Sequence, residues 1–585
     1  MPPTRIHFVN TAPVTKTTPV TNPGSGTPAT PVAARSDTGN GVEPAATAGL
    51  YEMVATAAAR HPDRETLADG EGAPLTCAEL DRQVRAVASA LLDRRVAAGD
   101  RVAVLGRTGL AWALLDCAVL AIGAVVVPVY PTSSPAQIEH ILTDSGSAYS
   151  AAETAADAER LRAAGAGEVW TFEDIAAWAR GPVRADLDEY IAPVRADDLA
   201  MIVYTSGTTG VSKGCMITHR NMYVSSANTV RQTGELFDGV TALALPLSHV
   251  FGQTTLFACL FGGARTHLLP GIPELVPALA RLRPTFLSLI PYALEKIRKH
   301  CRSLLTPEDE QDAVVTGLIR LQNGDGPVAS EDPVAAALGG RLRYVISGGA
   351  SLDDSTAGFY AGFGTVILNC YGLTEAATAV TVSAPENNRL GTVGKPIPGT
   401  SVGIAADGEV LVSGPHVSPG YWGAARDQRP VDDEGWLHTG DIGVLEDGYL
   451  RITGRKKEIL VTSGGKNVAP APLEDRVRLH PLVSNCMVVG EGRAFVTALV
   501  TLDAERAQAW RLEHPDQDPA TAVQVAVDDA NSLVSRPESI REFRIVAGDF
   551  TVANGLLTSS LKLRRAAIAE TYSADIDLLY STKRK

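Results

Sequence analysis

Cysteine is sparse in this sequence, and the seven that occur lie apart with no C-x-x-C pair. That removes the common zinc signatures and a disulfide framework, and an odd, dispersed set suits a reducing cytoplasm. Basic charge is in deficit too. The 52 Lys and Arg are outnumbered by 66 Asp and Glu, a formal net charge of −14. Such a balance argues against a general nucleic-acid or anionic-membrane binder. Aromatics make up only 5% of the residues, a bias without a functional reading of its own. No apolar h-region follows Met1, so no signal peptide is expected. Long hydrophobic runs are rare. The longest, Leu110 to Val129, is broken by Asp116, Gly123 and Pro128. A buried helix over Ala111 to Ile122 and a strand over Ala124 to Val129 fit it better than a membrane span. No internal repeat is visible.

What is present is a chain of 585 residues, 45% hydrophobic and 20% charged, long enough for several cored domains. Residues 1–45 form a Pro-, Thr- and Ala-rich tail without apolar periodicity, read as disordered. Helical spacing begins at Ala48 to Arg60 and returns at Thr76 to Ala97, and Arg101 to Leu105 reads as a buried strand. Strand, helix, strand at this spacing predicts a βαβ unit. Further strands are expected at Leu199 to Val203, Ala242 to Pro246, Ala264 to Leu269, Thr285 to Ile290, Leu342 to Ile346 and Val366 to Asn369. Thr306 to Pro333 is polar and weakly patterned, and is taken as a surface segment. From about Thr400, short β-like runs alternate with Gly and Asp turns, which predicts a small antiparallel module. The expected division is a large domain over 46–454 and an α+β domain over 455–585, with Gly454 to Glu458 as the hinge.

The richest stretch is Thr205-Ser206-Gly207-Thr208-Thr209-Gly210-Val211-Ser212-Lys213-Gly214, directly after a strand. Glycines let a loop bring its N–H groups close to an anion, and hydroxyls with a lysine complete the cradle. As a Walker P-loop it fails twice. Ser212 replaces the second glycine, and Gly214 replaces the hydroxyl that would hold the metal. The His249 turn, Gly348-Gly349 and Tyr371 to Glu375 also follow strands, and open α/β sheets gather their chemistry there. Singly, each candidate has a plain alternative. His249 could be structural, and Asp441 a turn residue or a holder of ribose hydroxyls. Arg455 could be a solvated charge or a planar donor fork. Glu375 could cap a helix or take Mg²⁺ beside phosphate. Gly348-Gly349 could be a mere turn or admit a flat base. Lys562, with Arg564 and Arg565 beside it, could be a solvated tail.

Together, Thr205 to Lys213, Tyr371-Gly-Leu-Thr-Glu375, His438-Thr-Gly-Asp441 and Gly454-Arg-Lys-Lys457 resemble the ordered motifs of the AMP-forming acyl-adenylate superfamily. The resemblance runs from about Ala48 to Leu579. Val129 to Ser134, Pro246 to His249, Gly340 to Arg343 with Ser347 to Ala350, and Asn554 to Thr558 with Leu561 to Arg564 look most like long-chain fatty acyl-CoA synthetases. It implies an α/β fold: a large N-terminal domain of mixed sheets flanked by helices with a small β module, plus a small mobile α+β C-terminal domain. It implies a fatty acid, ATP, Mg²⁺ and coenzyme A as reactants and cofactors, acting through acyl-AMP.

By position, Thr205, Ser206, Gly207, Thr208, Thr209, Gly210 and Lys213 would grip the β- and γ-phosphates. Tyr371 and Gly349 would flank adenine, Thr374 would touch the α-phosphate, and Glu375 would hold Mg²⁺. Asp441 and Arg455 would bind ribose, and Lys457 would be the hinge. His249 would line the junction of acyl and nucleotide sites, and Lys562 would bridge carboxylate and α-phosphate. A cation there also follows from the chemistry, since a carboxylate must approach a phosphate of the same sign.

A related reading is an enzyme that loads a carrier-protein phosphopantetheine in trans, no carrier domain being read after Lys585. A degenerate binding protein would have lost Lys562, Glu375 or Asp441, and all are present. A long-chain substrate would make transient peripheral membrane contact plausible, although no amphipathic anchor stands out. Departures from the family pattern are Ser559 in place of proline, Ile290-Pro291-Tyr292 in place of Val-Pro-Arg, and a shorter, more polar 306–333 segment. They bear on acyl chain length rather than on adenylation.

Overall fold

The computed structural model describes residues 32–37, 39–205, 212–558 and 561–581. Its largest sheet is six-stranded, in the spatial order Glu168–Thr171, Tyr149–Ala152, Arg101–Leu105, Val125–Val129, Leu199–Thr205 and Lys213–Thr218. All neighbours are parallel except the last pair. Val125–Val129 is buried throughout, as a parallel strand covered on both faces must be. The long apolar run divides as expected into the helix Leu110–Ala121 and that strand, with Gly123 at φ 72° making the turn between them. Among the described residues no helix is long and apolar enough to cross a membrane.

Two more sheets complete the N-terminal αβ layers. Leu67–Asp69, Arg265–Leu268 and Val240–Leu243 form a parallel three-stranded sheet. Phe286–Leu289, Tyr344–Ser347 and Val366–Leu373 run parallel and are continued antiparallel by Thr378–Val382 and Lys395–Pro396. The expected β module follows, with Ser401–Ala405, Glu409–Ser413, Leu437–Glu446 and Tyr449–Arg455 in antiparallel order. In the C-terminal domain Val483–Val489, Thr497–Leu502 and Phe543–Ile545 form a sheet. The helices Pro470–Arg478 and Pro519–Asn531 pack against it through Leu473, Val477, Val523 and Val527.

Two expectations need correction. The stretch 1–45 is not all without structure, because Val32–Asp37 is a strand paired antiparallel with Ser401–Ala405. Backbone hydrogen bonds to a waiting sheet edge need no apolar pattern. One strand had no counterpart among the expectations. Lys213–Thr218 pairs antiparallel with Leu199–Thr205, with Thr205 opposite Lys213. Cys215 and Ile217 are buried, an alternation too short to stand out. Tyr371 lies within the strand Val366–Leu373 rather than beyond its end. The polar segment after Thr306 lies largely at the surface, as expected, and holds a regular helix, Pro307–Asn323. Thr306 and Asp309 form a capping box at its start, and Gly324 in the left-handed region ends it.

Candidate active site

The His249 turn, the Gly348-Gly349 turn and Lys213 adjoin strands of three different sheets. Of the glycine-rich stretch, Ser206, Gly207, Thr208, Thr209, Gly210 and Val211 lie outside the described residues. Its two ends are fixed by the hairpin register. Lys213 directs its amine at the Gln428 side-chain oxygen and stands 5.4 Å from the centre of the Tyr421 ring. The Tyr421 hydroxyl donates to Glu375 Oε1 at 2.7 Å. The segment around Tyr421 is stitched to the hairpin strand. Trp422 N–H donates to the Gly214 carbonyl at 2.7 Å, and Met216 N–H donates to that of Gly420 at 3.0 Å. Tyr421 therefore joins Lys213 to Glu375. The sequence reading missed it, because a single tyrosine after Pro-Gly has no spacing to mark it.

Glu375 sits with Thr374 on the short 3₁₀ turn Thr374–Ala376. The backbone there is strained, since Ala377 and Thr378 adopt φ 45° and 90°. Gly372 is required beside it, because a Cβ would lie 1.4 Å from the Thr378 carbonyl oxygen. Gly348 has a similar reason: its Cβ would lie 2.4 Å from the Cys370 sulfur. That close approach sets the Gly348-Gly349 turn, with Gly349 at φ 87°, against the strand that carries Tyr371.

Tyr371 donates its hydroxyl to Asp441 Oδ2 at 2.7 Å. Asp441 faces Arg455 across the antiparallel pair, with Arg455 Nε 3.6 Å from Asp441 Oδ1. Burial raises the Asp441 pKa, while Arg455 opposes the shift. His249 is the N-cap of the helix Val250–Gly262, its Nδ1 accepting the Phe251 N–H at 3.0 Å. That bond leaves Nε2 to carry the proton of the neutral ring. Tyr130 lies edge-on at 6.3 Å between ring centres. Burial, and then Lys562, bring the His249 pKa down to about 4.

The Lys562 backbone is tied to Thr558. Thr558 N–H donates to its carbonyl at 2.8 Å, and its own N–H donates to Thr558 Oγ1 at 3.0 Å. Its side chain is reached by solvent yet surrounded by protein, as in an open cleft. Burial and then Arg455 lower its pKa, while Asp441, Glu458 and Glu375 raise it. The group that acts on His249 thus also feels Asp441, Arg455 and Glu375. The structure brings together Lys562, His249, Glu375, Tyr371, Asp441 and Arg455, drawn from the middle of the chain and its C-terminal end.

Lys457 stands between two anchored neighbours. Lys456 Nζ donates to Asp407 Oδ2 at 2.6 Å and to Glu409 Oε2 at 3.1 Å in the β module. Glu458 lies 3.6 Å from Arg565 of the C-terminal domain. Among the described residues no group of three or more His, Cys, Asp and Glu could hold a metal by itself. Glu375 Oε1 takes the Tyr421 hydroxyl, and no donor meets Oε2 among the described residues. A single free carboxylate oxygen suits a cation that takes its remaining ligands from phosphate and water.

Residues 54–422 match the AMP-binding enzyme family, and residues 457–584 match the AMP-binding enzyme C-terminal domain. Among curated proteins, the long-chain-fatty-acid–CoA ligase FadD15 of Mycobacterium tuberculosis is 37% identical, over 92% of this chain and 98% of that protein. The long-chain-fatty-acid–CoA ligase ACSBG1 of Homo sapiens is 28% identical, over 84% of this chain and 81% of its own. Among solved structures, ATP-bound MatB from Rhodopseudomonas palustris aligns with a TM-score of 0.70 at 25% identity, covering 90% of this chain and 98% of its own.

Proposed function

The chain belongs to the AMP-binding enzyme family, and from that premise we propose that it is a fatty acid–CoA ligase that works through acyl-AMP. A carboxylate oxygen of the fatty acid attacks the α-phosphorus of ATP, the bond to the bridging oxygen breaks, and pyrophosphate leaves. The thiol of coenzyme A then loses its proton and attacks the acyl carbonyl, and AMP leaves. The relatives that carry this name over nearly their whole length support the substrate class. The observation that carries the chemistry is Lys562, whose charge is felt in the cleft that holds His249, Asp441 and Glu375.

In this reading Lys562 neutralises charge between the carboxylate and the α-phosphate. Asp441 and Arg455 hold the ribose, Tyr371 and Gly349 flank adenine, and Thr374 meets the α-phosphate. The stretch from Thr205 to Lys213 grips the leaving pyrophosphate. Glu375, oriented by Tyr421, would hold Mg²⁺, which when bound supplies positive charge to the phosphate oxygens. His249 offers Nε2–H at the junction with the acyl site. The anchors on Lys456 and Glu458 support Lys457 as the pivot of a mobile domain over 455–585. Seven free cysteines suit a reducing cytoplasm.

The test is to incubate the protein with Mg·ATP and a panel of fatty acids, with and without CoA, and to follow AMP, acyl-AMP and acyl-CoA. Acyl-CoA formed only when all three reactants are present is the expected result. Pyrophosphate exchange without acyl-CoA would instead point to a carrier-protein acceptor. No AMP with any acid would overturn the reading.

A further inference from the structure

A second set of charges, unused by the chemistry above, joins the helix Pro470–Arg478 of the C-terminal domain to the N-terminal domain. Arg476 Nη1 donates to both carboxylate oxygens of Asp353, at 3.0 and 3.2 Å. Arg478 Nη2 reaches both oxygens of Glu295 at 3.4 Å. The Ser351 hydroxyl donates to Asp475. Just past the helix, Arg302 Nη1 donates to the Leu479 carbonyl at 3.4 Å, and Lys299 Nζ to the Val483 carbonyl at 3.3 Å. The Glu295 and Asp353 side chains are only 7% and 12% exposed. Pairs this far from water cost most when one partner is lost and the other is left behind.

Both sides of this contact lead to the cleft. Ser351 and Asp353 follow directly on the Gly348-Gly349 turn, and Asp353 caps the helix Asp354–Gly362 by accepting the Ser355 N–H at 2.8 Å. From the docking helix itself, Glu474 receives Arg565 Nη1 and Nη2 at 2.7 and 2.6 Å. Arg565 opens the helix that begins just after the Lys562 turn. The helix Pro470–Arg478 is therefore clamped between the adenine-side turn and the turn that presents Lys562. Ion pairs suit a contact that is made and broken in each cycle. On release the charges are rehydrated, whereas an apolar patch would be left bare.

We infer that Asp475, Arg476 and Arg478, closing on Ser351, Asp353 and Glu295, form a dock that positions Lys562 for adenylation and opens before thiol attack. The inference rests on the two-step reading above. The six are positioning residues, acting through the placement of a domain and touching no substrate.

The decisive variant is Glu295→Gln with Asp353→Asn, which keeps shape and removes charge. Pyrophosphate exchange, driven by the acid found in the panel, should fall about tenfold, equivalent to about 1.4 kcal/mol. Thioester formation from supplied acyl-AMP and CoA should hold its rate. Exchanging the charges, Glu295→Arg with Arg478→Glu, should recover exchange activity relative to Glu295→Arg alone. Spin labels at the exposed positions Val315→Cys and Leu512→Cys give a readout independent of turnover. One narrow distance in the parent should become a broader or second population in the double variant. Equal loss in both half-reactions, no recovery by the exchanged pair, or an unaltered distance distribution would each overturn the dock. A parent that makes no acyl-AMP would defeat the two-step reading instead, and the distance measurement would still decide the dock.

Discussion

His249 and Lys562 share one environment, and it pushes both toward their neutral forms. Burial leads in each case, and each is further lowered by a neighbouring cation. His249 at about 4 is neutral at pH 7, so it donates from Nε2 without adding charge. Lys562 is countered by Asp441, Glu458 and Glu375, and an arriving phosphate would favour its charged form further. Lys562→Ala should lower acyl-AMP formation by about 10²–10³-fold, the scale of losing one preorganised charge-stabilising group. It should spare thioester formation from supplied acyl-AMP, and equal loss in both half-reactions would refute the role. A different buried group governs stability. Asp116 is fully buried in the helix Leu110–Ala121, and burial raises its pKa to about 8. The folded state thus keeps a proton that the unfolded chain releases near pH 4, so stability from this group is full below pH 4 and is lost as pH rises to about 8. Asp116→Asn should remove that decline. Its denaturation midpoint should gain on the parent as pH rises from 5 to 8, with a limiting slope of about 1.4 kcal/mol per pH unit. Parallel pH curves would refute a protonated Asp116. Neither Lys562 nor Asp116 shows its state in sequence alone. Lys562 reads locally as a solvated tail, and only the order of motifs upstream set it in a cleft.

Elements with a two- or three-and-a-half-residue apolar period were legible from the chain, and those held by other means were not. Arg101–Leu105 falls where the pattern puts it, and the helix Cys77–Asp93 lies within the expected Thr76 to Ala97. Pro307–Asn323 does not show itself, because the described buried residues on it are Gly317 and Leu321 alone. Its contact is made by backbone against backbone. A Cβ on Gly317 would lie 1.8 Å from the Gly358 carbonyl oxygen, and one on Gly362 would lie 2.2 Å from that of Ala313. Such a seam leans on glycines, with Ala313, Val314 and Leu318 only partly buried beside them, so its apolar stripe reads weakly, although the Thr306 and Asp309 capping box is in plain view. Gly317→Val should push the helix off Asp354–Gly362 and destabilise the protein by about 1–3 kcal/mol, seen as a lower thermal midpoint. An unchanged midpoint would show that the two helices can part freely. Through Glu310, which pairs with Arg298 and Arg302, the same helix also braces the helix Pro291–Cys301 that carries Glu295.

Across the whole molecule, the cleft is assembled from sheets that do not share an edge, so no single βαβ unit contains it. The order of motifs made that assembly readable, but the span between Lys562 and the rest of the site could only be closed by coordinates. The pivot is similarly narrow. Lys456 is tied to Asp407 and Glu409 on one side, and Glu458 to Arg565 on the other. On the proposed two-step reading, rotation between domains would fall on the torsions of Lys457. Lys457→Pro fixes φ near −65° and should slow acyl-CoA formation by at least about tenfold while pyrophosphate exchange continues. Loss of exchange with retention of thioester formation would place the pivot elsewhere.

The strand Val32–Asp37 has a consequence for how the molecule is made. Its partner Ser401–Ala405 is synthesised roughly 370 residues later, which at about 5–20 residues per second leaves tens of seconds between them. During that interval the early strand has no place to settle, and the β module, once translated, has an open edge until the strand returns. Pinning by Asn228, which exchanges hydrogen bonds with the Val42 backbone at 2.7 and 2.9 Å, can hold the returning segment near its slot. Closure of that edge thus cannot precede translation of Ser401–Ala405, which makes it a late event in biogenesis.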